Sequence, residues 1–129
     1  MADSTISRVV VSVVDSRGHE FACVRIAGDV GIAAEVEFAA ALDQLDALRC
    51  ANVCVDLAEV SFAGTALLSF LVRVINRVPS DTPVLLCRPS RLTRHLIELS
   101  FLDTIATLCD KLPAMHEVEN HDVYTIWSA

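Results

Sequence analysis

The spacing of hydrophobic positions changes along the chain in a regular order. From Arg8 to Val14 the sequence is dense in valine, and a second apolar run from Phe21 to Ala27 follows the polar, glycine-ended stretch Asp15-Ser-Arg-Gly18. Two such runs around a turn predict a β-hairpin. A further turn is expected to begin at Gly28-Asp29. Over Ile32–Arg49 apolar residues recur at Phe38, Ala41, Leu42, Leu45 and Leu48, the steps of one helix face. Glu35 and Glu37 stand in its first turns and Arg49 near its end, the charge order a helix dipole favours. Val53–Leu57 reads as a buried central strand whose single polar residue is Asp56.

After Glu59–Gly64 the helical period returns. Leu67, Phe70, Leu71, Val74, Ile75 and Val78 define a second amphipathic helix over about Thr65–Val78, which Pro79–Pro83 breaks. Val84–Cys87 is another buried strand, Arg88-Pro89 a turn, and Ser90 the cap of a third helix, Arg91–Leu99, with Leu92, Leu96 and Leu99 expected inward. A short strand follows near Ile105–Leu108. Pro113 suits the first position of a helix through His116 and Glu119. Val123–Trp127 fits equally a tail strand or an apolar segment covering an exposed surface. Strands joined through helices after an initial hairpin imply an α/β domain with a largely parallel sheet and an antiparallel start.

Composition narrows what such a domain does. The 129 residues suffice for one hydrophobic core and not for two ordinary domains, and 53% of them are hydrophobic, with a mean hydropathy of +0.51. The expectation is one domain over residues 1–129, with its core at about 9–119 and residues 120–129 left unassigned. A net charge of −7 argues against general nucleic-acid binding, which needs lysine and arginine to replace phosphate counterions. Charged residues interrupt every apolar run before it reaches the roughly 20 residues of a bilayer span. Neither nucleic acid nor membrane insertion is therefore expected. The start, Met1-Ala-Asp-Ser-Thr-Ile-Ser-Arg8, lacks the pattern of a secretory signal, and the expected location is the cytoplasm.

Candidate chemistry is sparse. With four glycines the chain matches neither phosphate-loop spacing, and its four histidines, His19, His95, His116 and His121, form no metal-ligand pattern. No catalytic residue, cofactor or metal is assigned. Of Cys23, Cys50, Cys54, Cys87 and Cys109, all but Cys50 lie in or beside apolar runs, where cysteine packs as a small hydrophobe. Cys50 and Cys54 flank the junction of a predicted helix and strand, which makes them the pair to consider as a redox switch. Glu35, Glu37, Asp43 and Asp46 lie along one helix and read equally as a solvated face or a partner-binding patch.

Three stretches resemble the STAS domain of the anti-sigma-factor antagonist family, together covering about Val9–Glu119. Val24-Arg-Ile-Ala-Gly-Asp-Val-Gly-Ile-Ala is similar to the family's strand and Gly-Glu-Leu-Asp turn, with Asp29 at the glutamate position and Gly31 at the aspartate. Val55-Asp-Leu-Ala-Glu-Val-Ser-Phe-Ala-Gly-Thr-Ala-Leu-Leu resembles its signature of a strand and acidic loop, in which Thr65 aligns with the phosphorylated serine. Gly64 and Leu67 replace the usual aspartate before and glycine after that position. Leu86-Cys-Arg-Pro-Ser-Arg-Leu-Thr-Arg-His-Leu-Ile-Glu-Leu-Ser-Phe-Leu-Asp103 looks like the fourth strand and third helix.

The resemblance implies a mixed four- to five-stranded sheet with about four helices packed mainly on one face, and a role in partner switching. An antagonist of this kind binds an anti-sigma factor, in many cases a serine kinase, and frees the sigma factor until phosphorylation ends the binding. Carried over residue by residue, Thr65 is the phosphorylation candidate. The docking surface comprises Asp29, Gly31, Glu59, Ser61, Phe62, Gly64, Thr65 and Ala66, converging at one edge of the sheet. Thr65 also has a local reading as the N-cap of its helix. STAS domains serve elsewhere as interaction modules of transport complexes, and a thiol-based regulator is a third class. Self-association as a homodimer stays open.

Overall fold

Hairpin, crossover, crossover, crossover: the chain adds one strand at a time to the same side of a growing sheet. In the computed structural model, which describes residues 8–16, 18–31, 34–48, 52–79 and 81–113, β1 (Arg8–Ser16) pairs antiparallel with β2 (His19–Val30). Gly18 turns the hairpin at φ +84°, a left-handed conformation that a residue without Cβ adopts cheaply. Then come α1 (Glu35–Leu48), β3 (Asn52–Ala63), α2 (Thr65–Ile75), β4 (Val84–Cys87), α3 (Arg91–Leu99), a 3-10 turn at Leu102–Thr104 and β5 (Thr107–Cys109). The sheet order is β1-β2-β3-β4-β5, with every pair after the first parallel. Because this order never reverses, crossovers of one hand lay all three helices on the same face.

That face holds the core. Ala22, Val24 and Ile26 of β2, Val53, Val55 and Leu57 of β3, and Val84 and Leu86 of β4 alternate into it. They meet Phe38, Ala41, Leu42 and Leu45 of α1, Leu67, Phe70, Leu71 and Val74 of α2, and Ile97 of α3. Phe38 and Phe70 stack with ring centroids 4.3 Å apart, locking α1 against α2, and Arg77 donates to Asp46 at 2.9 Å across the same junction. The opposite face carries a smaller buried cluster of Cys23, Cys54 and Cys87, flanked by Val14, Phe21, Leu85, Cys109 and Leu112.

The largest departures from the sequence reading concern strand length and helix phase. β2 does not turn at Gly28-Asp29; Gly28 takes φ +94° and the strand continues to Val30. Residues 59–63 are not a loop but the second half of β3, kept extended by pairing with β2. α2 ends at Ile75 in tightening turns that carry Val78 into the core, and β5 starts at Thr107, after a 3-10 turn that leaves Ile105 exposed. In α3 the buried residues are Thr93 and Ile97, whereas Leu92 and Leu99 are 79% and 63% exposed. Ser90 fixes this phase: its Oγ accepts from the Thr93 backbone N–H at 3.2 Å and donates to Thr93 Oγ1 at 3.1 Å, so the threonine enters the core with its hydroxyl satisfied. Three α-helices, not about four, occur among the described residues; the helix expected through His116 and Glu119, Arg49, and the segment Val123–Trp127 lie outside them.

This phase is testable by urea unfolding. Ile97→Ala should lower the unfolding free energy by about 2–5 kcal/mol, and Leu92→Ser should change it by no more than about 0.5 kcal/mol. Equal losses would contradict the assigned face of α3.

Candidate functional site

The site is built where β2 and β3 end and α2 begins, and its shape starts from one buried charge. Asp56 is 2% exposed in the middle of an apolar strand, an arrangement that costs several kcal/mol unless the carboxylate is fully bonded. Arg88, the residue after β4, supplies the bonds: Nη2 donates to Oδ2 at 2.6 Å and Nε to Oδ1 at 3.2 Å. The Ala58 backbone N–H adds a third at 3.1 Å to Oδ1. Asp56 in turn raises the Arg88 guanidinium above its ordinary pKa, keeping it charged. Arg88 reaches this position with φ at 57°, uncommon for a residue with a side chain, and its N–H is held by the Cys109 carbonyl at 2.8 Å.

The bond from Ala58 coincides with a change in the strand. Between Arg25 and Ala27 of β2 the partner strand spends three residues, Asp56 to Glu59, and between Gly28 and Asp29 it spends two, Val60 to Phe62. Such bulges re-aim side chains. The inward positions of β3 run Val53, Val55 and Leu57, then skip to Val60, which leaves Glu59 and Ser61 facing solvent. Arg25 donates to Glu59 at 2.7 Å, a partly exposed pair that fixes the carboxylate's direction more than it stabilises the fold.

The two strands finish together. Asp29 pairs with Phe62 and Val30 with Ala63, and the Gly64 N–H donates to the Val30 carbonyl at 3.3 Å. Half-exposed Asp29 and Gly31 therefore lie beside the 61–65 segment. Glu59 sits further back along β3. Ala66 is partly buried against the core, so it contributes less surface than its position implies. Thr65 is not the N-cap. Gly64 occupies that place in an extended conformation, φ −125° and ψ −159°, with no side-chain cap bond. Thr65 is the first helical residue, exposed, and among the described residues its hydroxyl has no hydrogen-bond partner. The acidic face of α1 is split, since Asp46 is bonded to Arg77. Cys50 lies outside the described residues, and Cys54 meets a different thiol: its Sγ is 3.0 Å from that of Cys23.

Sequence reasoning missed the Asp56–Arg88 pair. The signal was present, because a lone aspartate in an otherwise apolar central strand needs a cation, and Arg88 ends the neighbouring strand. A sheet whose strand order never reverses has no switch point, the place where open α/β sheets hold small ligands. A hollow of about 730 Å³ lies at the other end of the strands, lined by residues that include Ile75, Asp81, Asp103 and Thr107. Among the described residues no helix is long and apolar enough to cross a membrane.

Comparison with known proteins agrees with this architecture. The family model for the STAS domain matches residues 11–115, and the chain belongs to that family. The fold is similar to the crystal structure of an anti-sigma factor antagonist from Mycobacterium paratuberculosis. That likeness has a TM-score of 0.72 at 20% sequence identity and spans 87% of this chain and 92% of the other. No curated protein matches the sequence.

Removing the cation should expose how much the rim depends on it. Arg88→Ala should destabilise the fold by about 2–3 kcal/mol, less than a fully buried pair would lose because the guanidinium is partly exposed. Amide hydrogen exchange should also quicken at Ala58 and along residues 59–63. Unchanged exchange there would show that the bulge stands without the clamp.

Proposed function

We propose that this STAS domain is an anti-sigma-factor antagonist: it docks an anti-sigma factor on the rim formed by Asp29, Gly31, Glu59, Ser61, Phe62, Gly64, Thr65 and Ala66, and so releases a sigma factor. The observation that carries the reading is the state of Thr65. It stands exposed in the first turn of α2 with its hydroxyl uninvolved in capping, beside the ends of two strands. A surface of this kind is open to a partner's backbone and side chains, and the same hydroxyl is open to a kinase.

Phosphorylation supplies the off-switch. A kinase partner transfers the phosphoryl group to Thr65 Oγ1, adding a charge of about −1.5 to −2. The helix N-terminus tolerates that charge, because its free N–H groups and dipole favour an anion. The fold therefore survives while the contact surface gains negative charge and bulk. A partner surface fitted to the small neutral hydroxyl has neither space nor counter-charge for the phosphate, so the added group ends the contact. No catalytic role is assigned to the chain itself, and its place of action is the cytoplasm, where anti-sigma and sigma factors meet.

A pull-down from the source cytosol, with retained proteins identified by mass, tests this directly. The wild-type chain and Thr65→Ala should retain an anti-sigma factor, and Thr65→Glu should lose at least about 90% of it, corresponding to a cost above roughly 1.4 kcal/mol. Equal retention by all three would remove Thr65 as the switch and leave docking intact. Recovery of a transport ATPase in place of an anti-sigma factor would overturn the function.

A further inference from the structure

The face of the sheet turned away from the helices carries a row of thiols that docking does not use. Cys23 and Cys54 are register partners on β2 and β3, and Cys87 and Cys109 are register partners on β4 and β5. Cys87 pairs with Asp56, two residues along from Cys54 on the same face, which makes Cys54 and Cys87 diagonal neighbours in one buried cluster. All four are free thiols; Cys23, Cys54 and Cys87 are fully buried and Cys109 is partly exposed.

We propose that Cys87 is an oxidant-sensing thiol and that Cys23 and Cys54 store the oxidising equivalent as a disulfide between β2 and β3, the oxidant being a small hydroperoxide. The geometry for storage is in place. Neighbouring strands hold paired Cα atoms about 4.8 Å apart, inside the range a disulfide spans, and the two sulfurs, already 3.0 Å apart, need about 1 Å of further approach to bond. Cys87 has the environment of a nucleophile. A hydrogen bond from the Cys54 thiol lowers its pKa, burial and the Asp56 carboxylate oppose this, and the Cys109 thiol and Arg88 guanidinium add to the lowering. Hydrogen bonding with Cys23 and Cys87, reinforced by burial, pushes Cys54 up and holds it as the protonated donor. Cys87 is fully buried, and Cys109 is among the residues packed against its cluster. Cys109 belongs to a three-residue strand at the sheet edge, the kind of element that opens locally before the rest of a fold.

The electron balance closes without a further reagent. Cys87 thiolate attacks the peroxide oxygen, breaking the O–O bond and giving Cys87 sulfenic acid and, with a proton from solvent, the alcohol or water. Cys54 sulfur attacks the sulfenic sulfur, and its proton leaves with the hydroxide as water. Cys23 sulfur then attacks Cys54, releasing Cys87 as thiolate and a proton to solvent. Two thiols are oxidised, one peroxide is reduced, and Cys87 is regenerated. The inference is independent of what docks on the rim.

The test treats the full-length chain under native conditions with stoichiometric hydrogen peroxide, quenches with an alkylating agent and maps disulfides by fragmentation of unreduced peptides. The expected product links Cys23 to Cys54 and leaves Cys87 alkylated. Cys87→Ser, checked for a wild-type circular dichroism spectrum, should slow its formation roughly tenfold or more. Cys23 and Cys54 that both remain alkylated after peroxide, or Cys54 paired with Cys50 or retained on Cys87, would overturn the storage pair. A wild-type rate in folded Cys87→Ser would overturn the sensing role.

Discussion

A carboxylate buried in the central strand, and the guanidinium that reaches across to neutralise it, set the geometry of everything at the functional end of this domain. Asp56 is 2% exposed in the central strand, where an unpaired carboxylate is costly, and Arg88 provides the partner from the adjacent strand end. Three consequences follow from the single contact. The end of β4 is fixed against β3. The Ala58 N–H is drawn to Asp56 where β3 gains its first extra residue. The Arg88 backbone, held by Cys109, draws the short edge strand β5 onto the sheet. An apolar pair at these positions would pack as well, but would not impose the bulge that turns Glu59 and Ser61 outward.

Elements defined by a strong period were legible in the sequence: the hairpin, the three helices and the strand Val84–Cys87 lie close to where alternation and three-four spacing put them. The misreadings share a cause. Gly28-Asp29 and Glu59–Ala63 carry turn-like residues, but long-range strand pairing overrides their local preference, and only the partner strand reveals that they are extended. Likewise the Leu92, Leu96 and Leu99 stripe was read inward on hydrophobicity alone. Ser90 sets the helix rotation through a hydroxyl pair with Thr93, so a polar residue is buried and two leucines are not. At the rim the motif resemblance implied docking residues converging at one edge of the sheet. It did not reveal that Gly64 caps α2, which leaves the Thr65 hydroxyl outside the capping role.

The two faces of the sheet have different chemistry. One is an apolar floor for three helices, and its strand ends carry the acidic rim that we assign to partner docking. The other places thiols next to the Asp56–Arg88 pair, so Arg88 bears on both systems: it anchors the strand whose outer half forms the rim, and its charge acts on the neighbouring Cys87. Electrostatics thus links a structural clamp, an interaction edge and a candidate redox centre within a few residues on adjacent strands. On the rim that we propose for docking, Thr65 stands exposed in the first turn of α2.

The central claim is that the partner binds the strand ends and the start of α2. Hydrogen–deuterium exchange of the chain alone and in complex with its captured anti-sigma factor tests that claim most directly. The account predicts slowed exchange over residues 29–31 and 59–66 and little change in α3. Protection centred on α3 and its exposed Leu92 and Leu99, with the rim exchanging freely, would contradict it.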